Sequence, residues 1–369
     1  MLRWSLKSLL FEPLRLLASV VGVASAFVLV IFFGAVFEGE SRQIVAYPEH
    51  TDADVWVMQE GVSNMHMASS LLWDWKQTRI AALPGVMQVS SILYMNTVMS
   101  AGGRGWFSYI VGLDQNTQSG GPWLMAAGTS RPGPGEAVIP DVIAALTGLG
   151  IGDSISITDR EFRITGLSRG TFSMANSVTF ITKQDLGKLM HTGDAVSYIL
   201  VKAAPGVVAD ELAETIEAEV PKVSALARAD FIARDREMAL QMGTEIIRIM
   251  TLIGMALALL IVAYTAYSNT LRRQRELAVA KALGFPLIQI YGSALYQSVV
   301  ITTLGLLFAA VMAFTLLPLV PVLAPQISLV VRADAFVPLG VVAVAVAVLA
   351  SLGPARRIAA VDPLLVFQG

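Results

Sequence analysis

The densest group of potential metal ligands in the sequence is Met58, Met65, His66 and Met67. Thioether and imidazole groups are ligands of soft and borderline transition metals, so this group is a candidate metal site. The alternative is an irregular apolar loop close to a membrane, and this interpretation is favoured. We therefore predict no metal site here.

The sequence offers little support for a nucleotide-binding or catalytic site. The sequence contains no Gly-x-x-x-x-Gly-Lys-[Ser/Thr], and a phosphate cradle of that type needs both the lysine and the hydroxyl residue. The glycine cluster at 102–105 fits a hairpin turn better. Asp52 and Asp54 have no partner at ligand spacing and are predicted to be solvated, while His50 and His191 stand alone. We predict no catalytic residue, no cofactor and no enzyme activity for this chain.

The absence of cysteine excludes disulfides, cysteine nucleophiles and cysteine-type metal sites. The net charge of −2 does not indicate nucleic-acid binding. Hydrophobic residues make up 55% of the chain and charged residues only 15%, against about 25% in soluble proteins. Because the missing charge falls in a few long runs, the sequence predicts an integral membrane protein.

Basic residues cluster between residues 271 and 286, with long uncharged runs on both sides. Residues 276–283 contain no helix breaker, and their alanines favour a helix. Gly284 is expected to cap that helix in the left-handed conformation, and Pro286 to end the turn. Leu277, Ala280 and Leu283 fall near one face, with Ala278 and Lys281 alongside. These residues alone fit a helix that docks into a partner groove and a basic anchor on lipid headgroups equally well.

Four uncharged runs are long enough to cross a bilayer. The first is too long for a signal-peptide core and lacks an Ala-x-Ala site, so we predict a retained span. Basic clusters before the first span, after the second and after the fourth place both termini in the cytoplasm. The predicted segments are a cytoplasmic amphipathic helix (1–15), span 1 (16–37), a periplasmic α+β domain with its stalk (38–243), span 2 (244–271), a cytoplasmic helical loop (272–287), span 3 (288–317), a short periplasmic loop (318–334), span 4 (335–353) and a cytoplasmic tail (354–369).

The segment between the first two spans has the pattern of an α+β domain. Alternating residues predict strands at 53–58, 106–113, 154–158, 161–167 and 197–202. Helical periodicity predicts helices at 69–83, 141–147, 183–191 and 208–220. From about residue 231 the helical pattern continues to residue 270, which predicts one long helix leading from this domain into the second span.

At this point the residues resemble a known family. Arg-Gln-Arg-Glu-Leu-Ala-Val-Ala-Lys-Ala-Leu-Gly at 273–284 follows the second span, and Pro-Ala-Arg-Arg-Ile-Ala-Ala-Val-Asp-Pro at 354–363 ends the chain. Together with Ala-Leu-Pro-Gly-Val at 82–86 and the segments 135–140, 150–154 and 162–166, this order resembles the MacB/FtsX-like permease family, the membrane subunits of type VII ABC systems. Residues 53–67 are most similar to its DevC-like branch.

The resemblance implies a coupling helix that docks on a separate ABC ATPase subunit. Its residues would be Glu276, Leu277, Ala278, Ala280, Lys281, Leu283 and Gly284. ATP and magnesium would be bound by that ATPase, not by this chain. The resemblance further implies a second copy or a related permease, membrane lipid around the spans, a bacterial inner-membrane location, and a periplasmic membrane-fusion adaptor with an outer-membrane channel.

The function expected from the resemblance is export by mechanotransmission, in which ATP hydrolysis by the partner moves the periplasmic domain. Two alternatives stay open. One is a permease that releases lipoproteins from the membrane. The other is an FtsX-like regulator of a cell-wall hydrolase, which does not transport.

Overall fold

A computed structural model describes residue 7 and residues 9–66, 68–117, 119–173, 177–242 and 244–360. It divides into two compact units. One is formed by residues 1–38, 246–323 and 329–369, and the other by residues 39–245 and 324–328. The predicted fold class is confirmed, because a mixed α/β unit interrupts a helical one. Residues 1–6 and 8 of the predicted amphipathic helix at 1–15 lie outside the described residues, as does Met67.

Within the described residues, four helices are long and apolar enough to cross a membrane. These candidate spans are Pro13–Ile44, Arg248–Arg272, Leu287–Leu323 and Ala333–Pro354. The helices that form or flank them are α1 (Pro13–Ile44), α8 (Thr244–Arg272), α9 (Gln274–Ala282), α10 (Leu287–Leu316), α11 (Val320–Leu323) and α12 (Phe336–Ala360).

The third span continues beyond residue 317, the end predicted from the sequence, although two prolines follow. Helix α10 ends at Leu316, but a 3₁₀ turn at Leu317–Leu319 and helix α11 carry the helical path on to Leu323. Pro318 and Pro321 are each the second residue of a new helical segment, where proline is tolerated because no intrahelical N–H bond is lost. Likewise Pro354 lies inside α12 and does not end it.

Small residues let the membrane helices approach closely. A cluster of buried residues joins α1, α8, α10 and α12, and half of its members are alanines. A Cβ added at Gly305 of α10 would lie 2.6 Å from Cγ1 of Val23 on α1, so these two helices touch at the glycine. Such contacts are the usual basis of helix association in membranes, where the hydrophobic effect does not act between helices.

The second unit is built on one mixed sheet. Its strands are β1 (Val55–Gln59), β3 (Val86–Ala101), β4 (Arg104–Leu113), β5 (Met125–Gly128), β6 (Glu136–Pro140), β7 (Ser154–Ile157), β8 (Arg160–Ser168), β9 (Ser177–Thr182), β11 (Tyr198–Ala203) and β12 (Val223–Ala227). Their order is β12-β1-β11-β3-β4-β9-β6-β8-β5, with β7 bridging β3 and β8. Strands β2 (Leu72–Trp73) and β10 (Ala195–Val196) form a separate pair.

The helices of this unit are α2 (Ala46–His50), α3 (Trp75–Ala81), α4 (Asp141–Thr147), α5 (Lys183–Met190), α6 (Ala209–Glu219) and α7 (Arg228–Met242). The predictions for α4, α5 and α6 are confirmed to within one residue at each end. The helix predicted over 69–83 is wrong in its first half. Residues 72 and 73 pair with β10 in extended conformation, and the helix begins only after Asp74.

The glycine cluster at 102–105 forms the predicted hairpin turn. Gly102 and Gly103 join β3 to β4, with φ angles of 59° and 72°. Positive φ at both central residues characterises the type I′ turn, whose twist matches that of the paired strands. The cluster is therefore a turn between strands and not a phosphate loop.

Candidate functional site

Helix α9 fills most of the basic loop after the second span, and its end has the predicted geometry. Gly284 follows the helix with a φ of +84°. Its N–H donates to the carbonyl of Lys281 at 3.0 Å, and the N–H of Phe285 donates to the carbonyl of Ala280 at 3.2 Å. These two bonds define a Schellman motif, which satisfies the last carbonyls of the helix. The predicted left-handed cap at Gly284 is confirmed.

One face of α9 is packed against the helical unit of the same chain. Leu277 is only 3% exposed and contacts the buried Ile290 of α10, and Ala278 and Ala280 are buried as well. The helix packs on α10 and α12. The apolar stripe was expected to pack into a groove of a partner protein. Two of its residues, Leu277 and Ala280, are instead covered by this chain, and only Leu283 is exposed.

The opposite face of α9 is open. Val279 is 40% exposed and Leu283 is 74% exposed, and the Glu276 side chain is also exposed. The three residues recur at i, i+3 and i+7, so they share one face of the helix. Lys281 is half-buried and lies off this face. Sequence periodicity did not separate this face from the buried one, because small apolar residues occupy both.

The second candidate element is α7, the last helix of the mixed unit. Its buried Phe231 ring stacks on Trp56 of β1, with ring centroids 4.5 Å apart and planes 10° apart, and meets the edge of Tyr198. Aromatic pairs of this kind contribute about 0.5–1.5 kcal/mol beyond the area they bury. The helix is therefore anchored in the core of the sheet at its first turn.

A buried carboxylate holds the next turn of α7. Asp235 is fully buried, and its Oδ1 accepts from the backbone N–H of Met65 and from Nδ1 of His66, each at 2.7 Å. Within the described part of the chain, its Oδ2 is buried without a hydrogen-bond partner. Asp235, Tyr94 and Tyr109 line the same small cavity. Burial raises the pKa of the Tyr94 hydroxyl well above its usual value.

These contacts revise the view of residues 58–67. Met58 and Met65 are buried in the core cluster of the sheet, and His66 faces Asp235. Over the described residues, no group of three or more His, Asp or Glu side chains is placed to hold a metal ion. Residues 60–66 form a loop without regular secondary structure, as predicted, but Met65 and His66 of this loop bind Asp235 of α7. Asp235 was missed because 169 residues separate it from His66.

A surface ion pair and an apolar contact complete the attachment of α7. Arg236 Nη2 donates to Glu49 Oε1 of α2 at 2.9 Å. Ile232 packs against the buried residues Ile44 and Val45, just before α2. The chain segments that enter and leave the mixed unit are thus tied to each other within it.

The remaining candidate residues have structural roles. Lys202 Nζ lies 2.8 Å from Asp52 Oδ1 and 3.3 Å from Asp54 Oδ2. The Asp52 side chain is 76% exposed and solvated as predicted, whereas the Asp54 side chain is only 28% exposed. The hydrogen bond to Asp52 and the charge of Asp54 raise the pKa of Lys202. His50 stacks on Trp123, and His191 ends α5 in the left-handed conformation.

Comparison with known proteins accounts for both units. A family model of the MacB-like periplasmic core domain matches residues 16–219, and a model of the FtsX-like permease C-terminal domain matches residues 248–363. The chain belongs to the MacB/FtsX-like family of ABC transporter permeases. The permease is accordingly a multi-pass membrane protein whose family provides membrane subunits of ABC systems.

Similar curated proteins carry the same description. Two uncharacterized ABC transporter permeases of Mycobacterium tuberculosis are 25% and 26% identical over 374 and 376 residues, and the matches cover the whole of each chain. An uncharacterized ABC transporter permease of Methanocaldococcus jannaschii is 24% identical over 232 residues, which is 59% of this chain and 58% of that protein.

Two solved structures are also similar. The periplasmic region of MacB from Actinobacillus actinomycetemcomitans gives a TM-score of 0.38 at 12% identity, covering 55% of this chain and 99% of that one. The extracellular domain of the noncanonic ABC-type transporter YknZ from Gram-positive bacteria gives 0.35 at 10% identity, covering 47% and 98%.

Proposed function

We propose that this permease couples ATP hydrolysis by a separate ATPase subunit to movement of its extracytoplasmic domain, driving export by mechanotransmission. The observation that carries the proposal is the two-faced helix α9. A helix that transmits force must be fixed to the spans on one side and open to a partner on the other. Burial of Leu277 and Ala280 and exposure of Val279 and Leu283 match that requirement.

The exposed face of α9 suits a protein partner better than a lipid surface. A passive anchor on anionic headgroups would present basic side chains, since each contributes about 1 kcal/mol near such a surface. Among the described side chains, the open face instead carries Val279 and Leu283 with the carboxylate of Glu276. An exposed apolar pair beside a charged side chain is an ordinary protein-binding surface.

The movement would pass from α9 through α8 and α7 to the sheet, that is, towards the N-terminus. Arg273 alone separates α9 from α8, so displacement of α9 acts directly on the end of the second span. Helix α7 ends at Met242 and α8 begins at Thr244, and the predicted continuity of the stalk depends on residue 243, outside the described residues. In this proposal α7 receives the displacement, and Phe231 and Asp235 pass it to the sheet.

The remaining parts of the proposal concern partners and orientation. ATP and magnesium would be held by the ATPase, because this sequence lacks the phosphate-binding motif. Two permease subunits would be needed to engage two ATPases, as a homodimer or as a related pair. The α9 side of the bacterial inner membrane would be cytoplasmic, and a membrane-fusion adaptor with an outer-membrane channel would receive the cargo.

Site-specific photo-crosslinking in the native host tests the docking surface. A photoreactive amino acid at Leu283 should capture a protein that mass spectrometry identifies as an ABC ATPase. The same probe at Ile151, an equally apolar and 52% exposed residue of the mixed unit, should not. Val279→Glu should abolish the crosslink at Leu283 while the permease stays in the membrane fraction. Capture of no ATPase from Leu283, or equal capture from Ile151, would contradict the proposal.

A further inference from the structure

A polar cavity lies in the helical unit where the start of α1, the last turn of α8, the start of α9 and the body of α10 meet. Five charged side chains line it, from Glu12, Arg15, Arg272, Arg273 and Glu276. The spacing of the lining residues explains why they converge. Glu12 and Arg15 are three residues apart, as are Asn269 and Arg272, so each pair lies on one side of its segment.

The charges in this cavity do not cancel. Arg15 Nη1 lies 2.7 Å from Glu12 Oε2, and Arg273 Nη1 lies 3.9 Å from Glu276 Oε2, which pairs both carboxylates. The Arg272 guanidinium donates through Nε to the neutral Ser268 hydroxyl at 3.3 Å. Among the described residues, no carboxylate pairs with Arg272. The cavity therefore carries one positive charge in excess, on an exposed side chain.

Neutral donors stand beside that charge. Ser19 of α1 and Asn269 of α8 both line the cavity, and they hold each other only through long contacts of 3.4 and 3.5 Å. Contacts of this length are near the limit of hydrogen bonding, so both groups can turn to a better acceptor at small cost. Leu16 and Ile301 give the cavity an apolar side.

The position of the cavity along the spans is that of lipid headgroups. It lies at the residue where the apolar run of α8 ends, Arg272, and beside the first turns of α1, which begins at Pro13. A group bound there would have its acyl chains next to the hydrocarbon core and its polar part in the cavity. Basic pockets between transmembrane helices at this level hold anionic lipid headgroups in other membrane proteins.

We infer that this cavity binds the phosphodiester of an anionic phospholipid, with Arg272 as its charge partner and Asn269 and Ser19 as neutral donors. Only the assignment of the leaflet, the one facing the ATPase, rests on the proposed function. A lipid with an ammonium headgroup fits less well, because both carboxylates are already paired with arginines. Since Glu276 lies in the first turn of α9 and Arg273 immediately precedes that helix, the bound lipid would join the first span to α9.

Native mass spectrometry of the purified permease, without any ATPase, tests the site independently of the docking proposal. Detergent-solubilised permease is incubated with phosphatidylglycerol, with phosphatidylethanolamine of the same acyl chains, or with inorganic phosphate. We expect a retained phosphatidylglycerol adduct and a higher melting temperature, and neither with the other two. Equal effects of phosphatidylethanolamine would overturn the inference, and an effect of inorganic phosphate would show a phosphate site without lipid.

Two variants locate the adduct. Arg272→Gln should weaken phosphatidylglycerol retention about fivefold, the equivalent of the ~1 kcal/mol expected from one basic residue near an anionic group. Arg356→Gln removes an exposed arginine outside the cavity and should retain the lipid like the unchanged permease. If Arg272→Gln does not insert, Asn269→Ala replaces it and should also weaken retention. Equal losses in the cavity variant and in Arg356→Gln would place the lipid elsewhere.

Discussion

The Oδ1 atom of Asp235 lies 2.7 Å from the Nδ1 atom of His66, and neither side chain is more than 8% exposed. Asp235 belongs to α7, which leaves the mixed unit, and His66 belongs to the loop after β1. Because the same oxygen also accepts from the Met65 N–H, one carboxylate fixes both a side chain and the backbone of that loop.

A double-mutant cycle should measure this link. Asp235→Asn removes a charged acceptor with two short hydrogen bonds, and should lower the free energy of unfolding by about 1.5–3 kcal/mol. His66→Gln should cost less, and the two effects should be coupled by at least about 0.5 kcal/mol. Tryptophan fluorescence in denaturant suits the full-length permease, since five of its six tryptophans lie in residues 39–245. Strictly additive effects would show that the two residues act separately.

Substitution of Gly284 should loosen α9 without a steric clash. A Cβ at this position would meet nothing within 4 Å, so the cost of Gly284→Val comes from its φ of +84° and is about 1–2 kcal/mol. Gly284→Asn should cost less, because asparagine adopts the left-handed conformation more readily. Hydrogen exchange over residues 274–285 should rise in the valine variant. Gly22→Ala, in an open position of α1, serves as the control and should leave that exchange unchanged.

The orientation of the permease can be tested with single cysteines, because the natural chain has none. Asp159→Cys lies in an exposed turn of the mixed unit, and Arg356→Cys lies at an exposed position near the end of α12. In intact spheroplasts an impermeant maleimide should label the first and not the second. After lysis both should react. Labelling of both before lysis would contradict the proposed orientation.

The two turn glycines of the β3–β4 hairpin should differ in their tolerance of alanine. Both have positive φ, so each substitution carries the left-handed cost of about 1 kcal/mol. A Cβ at Gly102 would also lie 2.6 Å from Cβ of Thr147, whereas one at Gly103 would meet nothing within 4 Å. Gly102→Ala should therefore destabilise the permease more than Gly103→Ala in the same unfolding measurement. Equal losses would indicate that α4 moves away freely.

Glu136 should contribute to stability in acid. A hydrogen bond from the Gly133 N–H and another from Arg163 hold the pKa of Glu136 below its usual value. Because the folded pKa is the lower one, this contribution is present above about pH 4.3, the unfolded value, and is lost as the pH falls through the folded value.

The variant Glu136→Gln should therefore be less stable than the natural permease at pH 7, with the difference shrinking below about pH 4.3. Glu214→Gln changes an exposed glutamate of α6 and provides the matched control. A difference between Glu136→Gln and the natural permease that stays constant down to the lowest pH would mean that the ionised carboxylate is not the stabilising form.

Long apolar runs and helix-capping residues predict structure correctly in this sequence. The four spans, α4 and the Gly284 cap follow from local chemistry, since hydropathy and glycine conformation act over a few residues. Strand β3 was missed although it is the longest, because Ser90 to Tyr94 are buried on both faces and show no alternation. A strand that is buried on both faces shows no alternation of polar and apolar residues, so its sequence does not identify it as a strand.

The two faces of α9 could not be distinguished from the sequence either. The residue types predicted a short helix, but Ala278, Val279 and Ala280 are too alike for the sequence to show which of them faces inward. Only the packing of α10 and α12 separates Val279 from its neighbours. The Asp235–His66 pair is beyond local pattern altogether, because it joins residues from opposite ends of the mixed unit.

The position of β1 in the sheet affects how the permease is made. This strand pairs with β11 on one side and with β12 on the other, so its neighbours are synthesised last. Residues 55–227 take about 10–30 s to emerge at typical rates of translation. During that time Val55, Trp56 and Val57, all fully buried in the finished sheet, have no partner strands. Chaperones that shield β1, or slow translation past residue 227, should therefore affect the yield of correctly folded permease.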